Sequence, residues 1–153
     1  VPFFAHWPKQ FKEPKKFDPM MISLDIMATS LAAAGAKNKD LKDLDGVNLL
    51  PFIEGEKNTP PHKNLYWHKL WFSAMRDGPW KLIYVQDYGY ALYNLEKDLS
   101  ESKNLIKSEK KRSDRMIAQL NDWKAGLEKP RWDEAMIWFR THSKNHIRII
   151  EGE

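Results

Sequence analysis

The sequence predicts an α+β fold: a small antiparallel β-meander with one helix packed across it, preceded by a buried strand and an amphipathic helix. Three observations carry this. Four runs rich in aromatic and β-branched residues, Asn64 to Leu70, Phe72 to Met75, Trp80 to Val85 and Ala91 to Leu95, lie close together, with turn signals at Asp77-Gly78-Pro79 and Asp87-Tyr88-Gly89. Turn signals at that spacing imply an antiparallel meander. The segment that follows repeats Met116, Ile117, Leu120, Trp123 and Leu127 at helical spacing, with Pro130 as its stop, and can cover one face of the sheet. Ahead of the meander, Val1-Pro2-Phe3-Phe4-Ala5 shows no polar alternation, as in a strand buried on both faces of a mostly parallel sheet.

Taken in order, the run at 1–5 leads into a Pro- and Lys-rich loop that ends at Pro19. From Met20 to Ala34 the pattern is helical, with Leu24, Met27 and Leu31 on one face. Ser23 is placed as an N-cap, Asp25 complements the helix dipole, and Gly35 is placed as a C-terminal cap. Residues 37–63 form a long connection with turn residues at Asp45-Gly46, Gly55 and Pro60-Pro61. Beyond Pro130, Trp132, Ile137, Trp138, Phe139 and the strand-like Ile147 to Ile150 make a tail too apolar for a disordered end, with no role that the sequence assigns. This divides the chain into residues 1–56, 57–129 and a tail at 130–153.

Composition narrows the function classes. The 153 residues, 42% of them hydrophobic, suffice for a buried core. A net charge of +4, from 25 Lys+Arg against 21 Asp+Glu, is too diffuse for a nucleic-acid face. Without cysteine the chain has no disulfide, thiolate metal site or cysteine nucleophile. No apolar run approaches the length of a membrane span, and the start has no signal-peptide pattern. The opening at Val1 without Met reads as that of a processed or truncated sequence.

Four stretches, in this order, carry a resemblance. They are Val1-Pro2-Phe3-Phe4-Ala5-His6-Trp7-Pro8, Ile22-Ser23-Leu24-Asp25-Ile26-Met27-Ala28-Thr29 and Leu44-Asp45-Gly46-Val47-Asn48-Leu49-Leu50-Pro51. The fourth is the pair Ala74-Met75-Arg76-Asp77-Gly78-Pro79-Trp80-Lys81-Leu82-Ile83 and Leu92-Tyr93-Asn94-Leu95 with Asp98, Glu101, Asn104 and Leu105. Over roughly residues 1 to 129 the chain resembles the C-terminal part of type I sulfatases, arylsulfatases of the alkaline-phosphatase-like superfamily. Asn94 stands where that family usually has Asp, Leu99 where it has Pro, and His6 where Arg is frequent. The resemblance implies that the first strand and helix close a large catalytic α/β domain and that the meander and its helix form the smaller C-terminal subdomain.

The resemblance also implies calcium and a formylglycine, made from Cys or Ser in a Cys/Ser-x-Pro-x-Arg motif, for the full-length parent. A geminal diol oxygen attacks sulfur there while the metal and cationic side chains neutralise the sulfate oxygens. This sequence has no such motif, and no tight Asp cluster of the kind a hard cation needs. In the family that the chain resembles both precede the Val-Pro-Phe segment, so the chain is expected to be a C-terminal fragment, inactive alone.

The substrate-binding candidates are Trp67, His68, Lys69, Trp71 and Arg76. In Tyr66-Trp67-His68-Lys69-Leu70-Trp71-Phe72, cationic groups beside aromatic rings suit sulfated sugars or aryl sulfates, and the resemblance puts this segment toward the substrate mouth. The plainer reading is that both tryptophans pack and His68 is a surface residue. Arg76 at a turn can bind substrate or simply hydrogen-bond carbonyls. Lys81 alternates outward and reads as a solvated or paired lysine, His6 as a structural residue, and Lys110-Lys111-Arg112 as a wet face. His142 and His146, four apart, would share a helix face, but no carboxylate at matching spacing completes a metal site.

Two function classes follow: a sulfuric ester hydrolase to which this chain contributes the substrate-facing subdomain, or a non-catalytic module binding an anionic glycan or a protein. Expected partners are the catalytic part of the parent or a second copy, through the N-terminal 35 residues, and a sulfated small molecule or glycan. The family resemblance suggests a secreted or periplasmic location.

Overall fold

The computed structural model describes residues 3–129, 131–132 and 136–152. They fall into two units, Val1–Pro61 and His62–Glu153.

The first unit is built around helix α1 (Leu24–Ala33), followed by two short helices, α2 (Asn38–Leu41) and α3 (Leu50–Ile53). Ser23 sits at the N-cap but its side chain makes no capping bond. Asp25 ties the helix start instead. Its buried carboxylate accepts the Ile22 N–H and the Val47 N–H, each at 2.8 Å. One turn on, Thr29 Oγ1 accepts the Leu49 N–H at 3.0 Å. The Leu-Asp-Gly-Val-Asn-Leu segment is thus clipped along α1 by two side chains four residues apart, which share a helix face. At the other end Gly35 takes φ +92°. The Gly35 N–H then reaches Ala32 O and the Ala36 N–H reaches Leu31 O, both at 3.0 Å, the paired bonds of a glycine-capped helix end.

No strand forms over Phe3–Ala5, and Phe4 is 90% exposed. This corrects the buried-strand reading for these residues, while Val1 and Pro2 lie outside the described residues. A strand is held by ladder bonds to neighbours, and among the described residues none is offered. The α1 face of Leu24, Met27 and Leu31 is likewise exposed, Met27 to 60%.

The second unit holds one sheet of β1 (Asn64–Lys69), β2 (Phe72–Asp77), β3 (Trp80–Val85) and β4 (Gly89–Asn94), all antiparallel in the order β1-β2-β3-β4. Register places Tyr66, Met75, Leu82 and Leu92 in one cross-strand row. Because strand side chains alternate, this row and its neighbours two residues away share one face. Helix α4 (Lys110–Ala125) packs there, with Met116 and Leu120 against Met75, Leu82 and Leu92. Trp123 stacks on Tyr66 with ring centroids 5.0 Å apart. Trp123→Ala should cost about 3 kcal/mol, the low end for a large ring because the indole is only partly buried. A urea-unfolding midpoint that does not move would exclude this packing. Helix α4 ends at Ala125, where the Gly126 N–H closes on Trp123 O at 3.2 Å, before Pro130 is reached. Leu127, expected in the helix face, is outside it and 38% exposed.

The tail departs most from expectation. Ile147 to Ile150 belong to helix α5 (Met136–Glu151), not to a strand. Ile147, Ile149 and Ile150 pack on Ile83, Val85, Ala91 and Tyr93, so the sheet is covered on both faces. The second face is apolar and would otherwise lie against water.

The loop after β4 is pinned by the remaining motif residues. Asn94 Oδ1 accepts the Glu96 N–H at 3.1 Å, a turn that Asn makes as well as Asp would. Asp98 accepts the Lys103 N–H at 2.9 Å and the hydroxyls of Ser100 and Ser102 at 3.1 and 3.0 Å; the backbone bond foremost holds its carboxyl below the usual range. Asn104 Oδ1 accepts the Leu92 N–H, and the Leu105 N–H bonds Leu92 O, extending the edge of β4. Leu99, in the family's Pro position, is exposed and bears on none of this.

Candidate functional site

The β1–β2 hairpin gathers four of the five candidate residues at one end of the sheet. Alternation along β1 puts Trp67 and Lys69 on the face toward α5 and His68 on the face toward α4. Trp67 is 39% exposed and Lys69 is exposed. The turn is tight: Leu70 adopts φ +40°, and Trp71 O accepts the Gln86 N–H at 2.9 Å, which fastens the hairpin tip to the β3–β4 connection.

His68 is held by its own hairpin. Its Nδ1 lies 3.1 Å from Phe72 O and 3.0 Å from Ser73 Oγ, the residue opposite it in register. A carbonyl can only accept, so the contact with Phe72 requires a proton on Nδ1, which leaves Nε2 as the acceptor of a neutral ring.

Arg76 is not at this end. It pairs with Leu65, four residues along from the Lys69–Phe72 pair, roughly 13 Å at strand rise. Its Nη2 donates to Gly78 O at 3.0 Å, and its Nε is sealed from solvent without a partner. Lys81, beside it in the same cross-strand row, pairs with Glu101 at 2.5 Å. The Lys of Trp-Lys-Leu and the Glu of the following motif are thus one ion pair, and Glu101 adopts φ +57° in making it.

That row leads to two groups that the sequence does not bring together. Tyr93 follows Lys81 in register, fully buried, with a hydroxyl that has no partner. Burial first, then Glu101 and Asp98, push this phenol up to about 12. The His146 ring of α5 lies 6.2 Å from the Tyr93 ring, its Nδ1 sealed and unpartnered. Burial and the Lys81 cation hold this imidazole below its ordinary value, against Glu101. In the sequence Tyr93 stands out as a motif residue and His146 as half of a histidine pair, with nothing to join the two. The side chain of His142, the other member of the histidine pair, lies outside the described residues.

The described residues do not fit a resident calcium ion. No group of three or more His, Asp or Glu converges among them. Asp25, Asp98 and Glu101 are each committed to backbone, hydroxyl or lysine partners. No nucleophile motif for a formylglycine is present in the sequence.

Comparison with known proteins agrees with this geometry. The family described as N-sulphoglucosamine sulphohydrolase, C-terminal, matches residues 1–127. The uncharacterized sulfatase YdeN of Escherichia coli (strain K12) is 41% identical over 76 residues, 47% of this chain and 13% of its own length. Human steryl-sulfatase is 29% identical over 80 residues, 52% of this chain and 14% of its length. The crystal structure of Ps i-CgsB superimposes with a TM-score of 0.68 at 29% identity, over 96% of this chain and 32% of that one. The chain therefore spans a third or less of the length of these relatives. An antiparallel four-stranded sheet carrying the paired motif residues, together with a family match over most of its length, makes this chain a member of the sulfatase family, corresponding to its C-terminal region.

Proposed function

We propose that the chain is the substrate-facing C-terminal subdomain of a sulfate-ester hydrolase and that its β1–β2 hairpin end binds sulfated carbohydrate. The observation that carries this is the placement of exposed Trp67 and Lys69 two residues apart on one face of an edge strand. An indole offers a flat apolar surface to a sugar ring, and a lysine beside it offers a cation to the sulfate. Trp71 lies at the tip of the same hairpin, and His68 on the other face of the same strand. The related Ps i-CgsB has also been crystallised in complex with k-i-k-neocarrahexaose, which supports an oligosaccharide as the ligand class.

On this reading the family's formylglycine and calcium supply nucleophile and Lewis acid from another part of a longer enzyme, and this chain alone is inactive. Relatives at least three times as long support that view. The exposed α1 face of Leu24, Met27 and Leu31 then docks on the catalytic sheet of that enzyme. The binding proposal is tested by titrating the chain with a sulfated oligosaccharide and with its desulfated form. The sulfated sugar should bind at least tenfold tighter, and Trp67→Ala with Lys69→Ala should weaken it about tenfold. Equal affinity for both sugars, or an unchanged double variant, would reject the site.

A further inference from the structure

The geometry points to helix α5 as an acid-released cover of the sheet, with His146 as the group that releases it. α5 packs on β3 and β4 and hides Ile83, Val85, Ala91 and Tyr93. Beside Tyr93 at that contact it carries one half-buried imidazole, whose Nδ1 is sealed from solvent and has no partner among the described residues.

The surroundings are suited to a neutral ring and hostile to a charged one. From β4, Tyr93 faces His146 with a sealed hydroxyl that stays protonated, its phenol pushed up to about 12, and so provides no negative charge. From β3 comes the Lys81 cation. From the loop after β4 comes Glu101, the one anion acting on the ring among the described residues, but it is already bonded to Lys81 at 2.5 Å. On α5 itself Lys144, Arg148 and Glu151 are exposed to solvent. A proton on His146 would therefore add a second cation beside Lys81, on a ring whose sealed Nδ1 has no partner among the described residues.

The sign follows from the direction of the shift. Burial, the largest cause, lowers the folded value below that of the unfolded chain, about 6.5. The neutral ring's contribution to α5 docking is present above that pH and is lost as pH falls through the folded value. The isoleucine contacts do not titrate, and the α4 face uses a separate cluster of residues. Acid therefore loosens α5 and uncovers the face that also carries Trp67 and Lys69, while the sheet and α4 stay folded.

Amide hydrogen exchange of the whole chain at pH 7.5 and pH 5.5, corrected for intrinsic rates, tests this. Protection of residues 143–151 should fall at the lower pH, by at most about tenfold because pH 5.5 lies one unit below the unfolded value, with β2 and β3 unchanged. His146→Phe and His146→Gln, which cannot gain the charge, should each show equal protection of α5 at both pH values. Protection of β2 and β3 in the variants verifies that they fold. PH-independent protection of 143–151 in the wild type, or the same acid-induced loss in both variants, would overturn the inference.

Discussion

Gly46→Ala is expected to break the first unit at its clip, at a cost of about 3 kcal/mol. A Cβ at this position would lie 2.1 Å from Leu24 O, 2.4 Å from Leu24 C and 2.8 Å from Asp25 N. All three are backbone atoms at the start of α1, so no side chain can swing aside. The 45–49 segment would have to retreat by about 1 Å to reach even a tight van der Waals contact. Retreat strains the Val47 N–H bond to the buried Asp25 carboxylate, a group that is costly to leave under-satisfied. The measurement is urea unfolding combined with limited proteolysis between residues 20 and 50. Gly126→Ala is the control, since its nearest contact would be an ordinary 3.6 Å and its φ is negative. A Gly46→Ala protein as stable and as protease-resistant as that control would show that the segment does not sit on α1.

Leu120→Ala should cost about 3 to 4 kcal/mol, near the middle of the range for a fully buried leucine. The side chain is inaccessible and lies among Met75, Leu82, Leu92 and Met116. Collapse into the vacated space is limited, because Met75, Leu82 and Leu92 occupy one register row of a continuous ladder and cannot move singly. This substitution should exceed Trp123→Ala in effect although it removes fewer atoms, since the indole at the end of the contact is partly solvated already. The check is chemical unfolding with an unchanged denaturant slope. A loss below 1 kcal/mol would mean that α4 does not close the sheet.

The meander was legible because its signals are local. Asp77-Gly78-Pro79 and Asp87-Tyr88-Gly89 mark two of the three turns, and the observed strands match the aromatic and β-branched runs to within a few residues. Gly35 at its helix end was legible for the same reason, since a left-handed backbone favours one residue type. Ser23 misled: an N-cap is a local preference, and here Asp25, bonded to a segment more than twenty residues away, ties the helix start instead. The strand-like Ile147 to Ile150 misled likewise, because a short apolar run with β-branched residues does not distinguish a strand from the buried face of a helix.

The candidate site divides along the same line. Trp67, His68, Lys69 and Trp71 are close in sequence, so a single hairpin suffices to hold them together. Arg76 is almost as close, yet pairing directs it to the other end of the strands. By itself the sequence determined the α+β class, the meander, the α4 helix and the sulfatase family, all written in short-range periodicity or ordered motifs. Only the tertiary structure decided what those motif residues do. Asp25 and Thr29 clip a distant loop, Lys81 closes on Glu101, and Tyr93 meets His146 across more than fifty residues. The physical reason is that a buried polar group is defined by the partner brought to it, and chain topology, not local preference, chooses that partner.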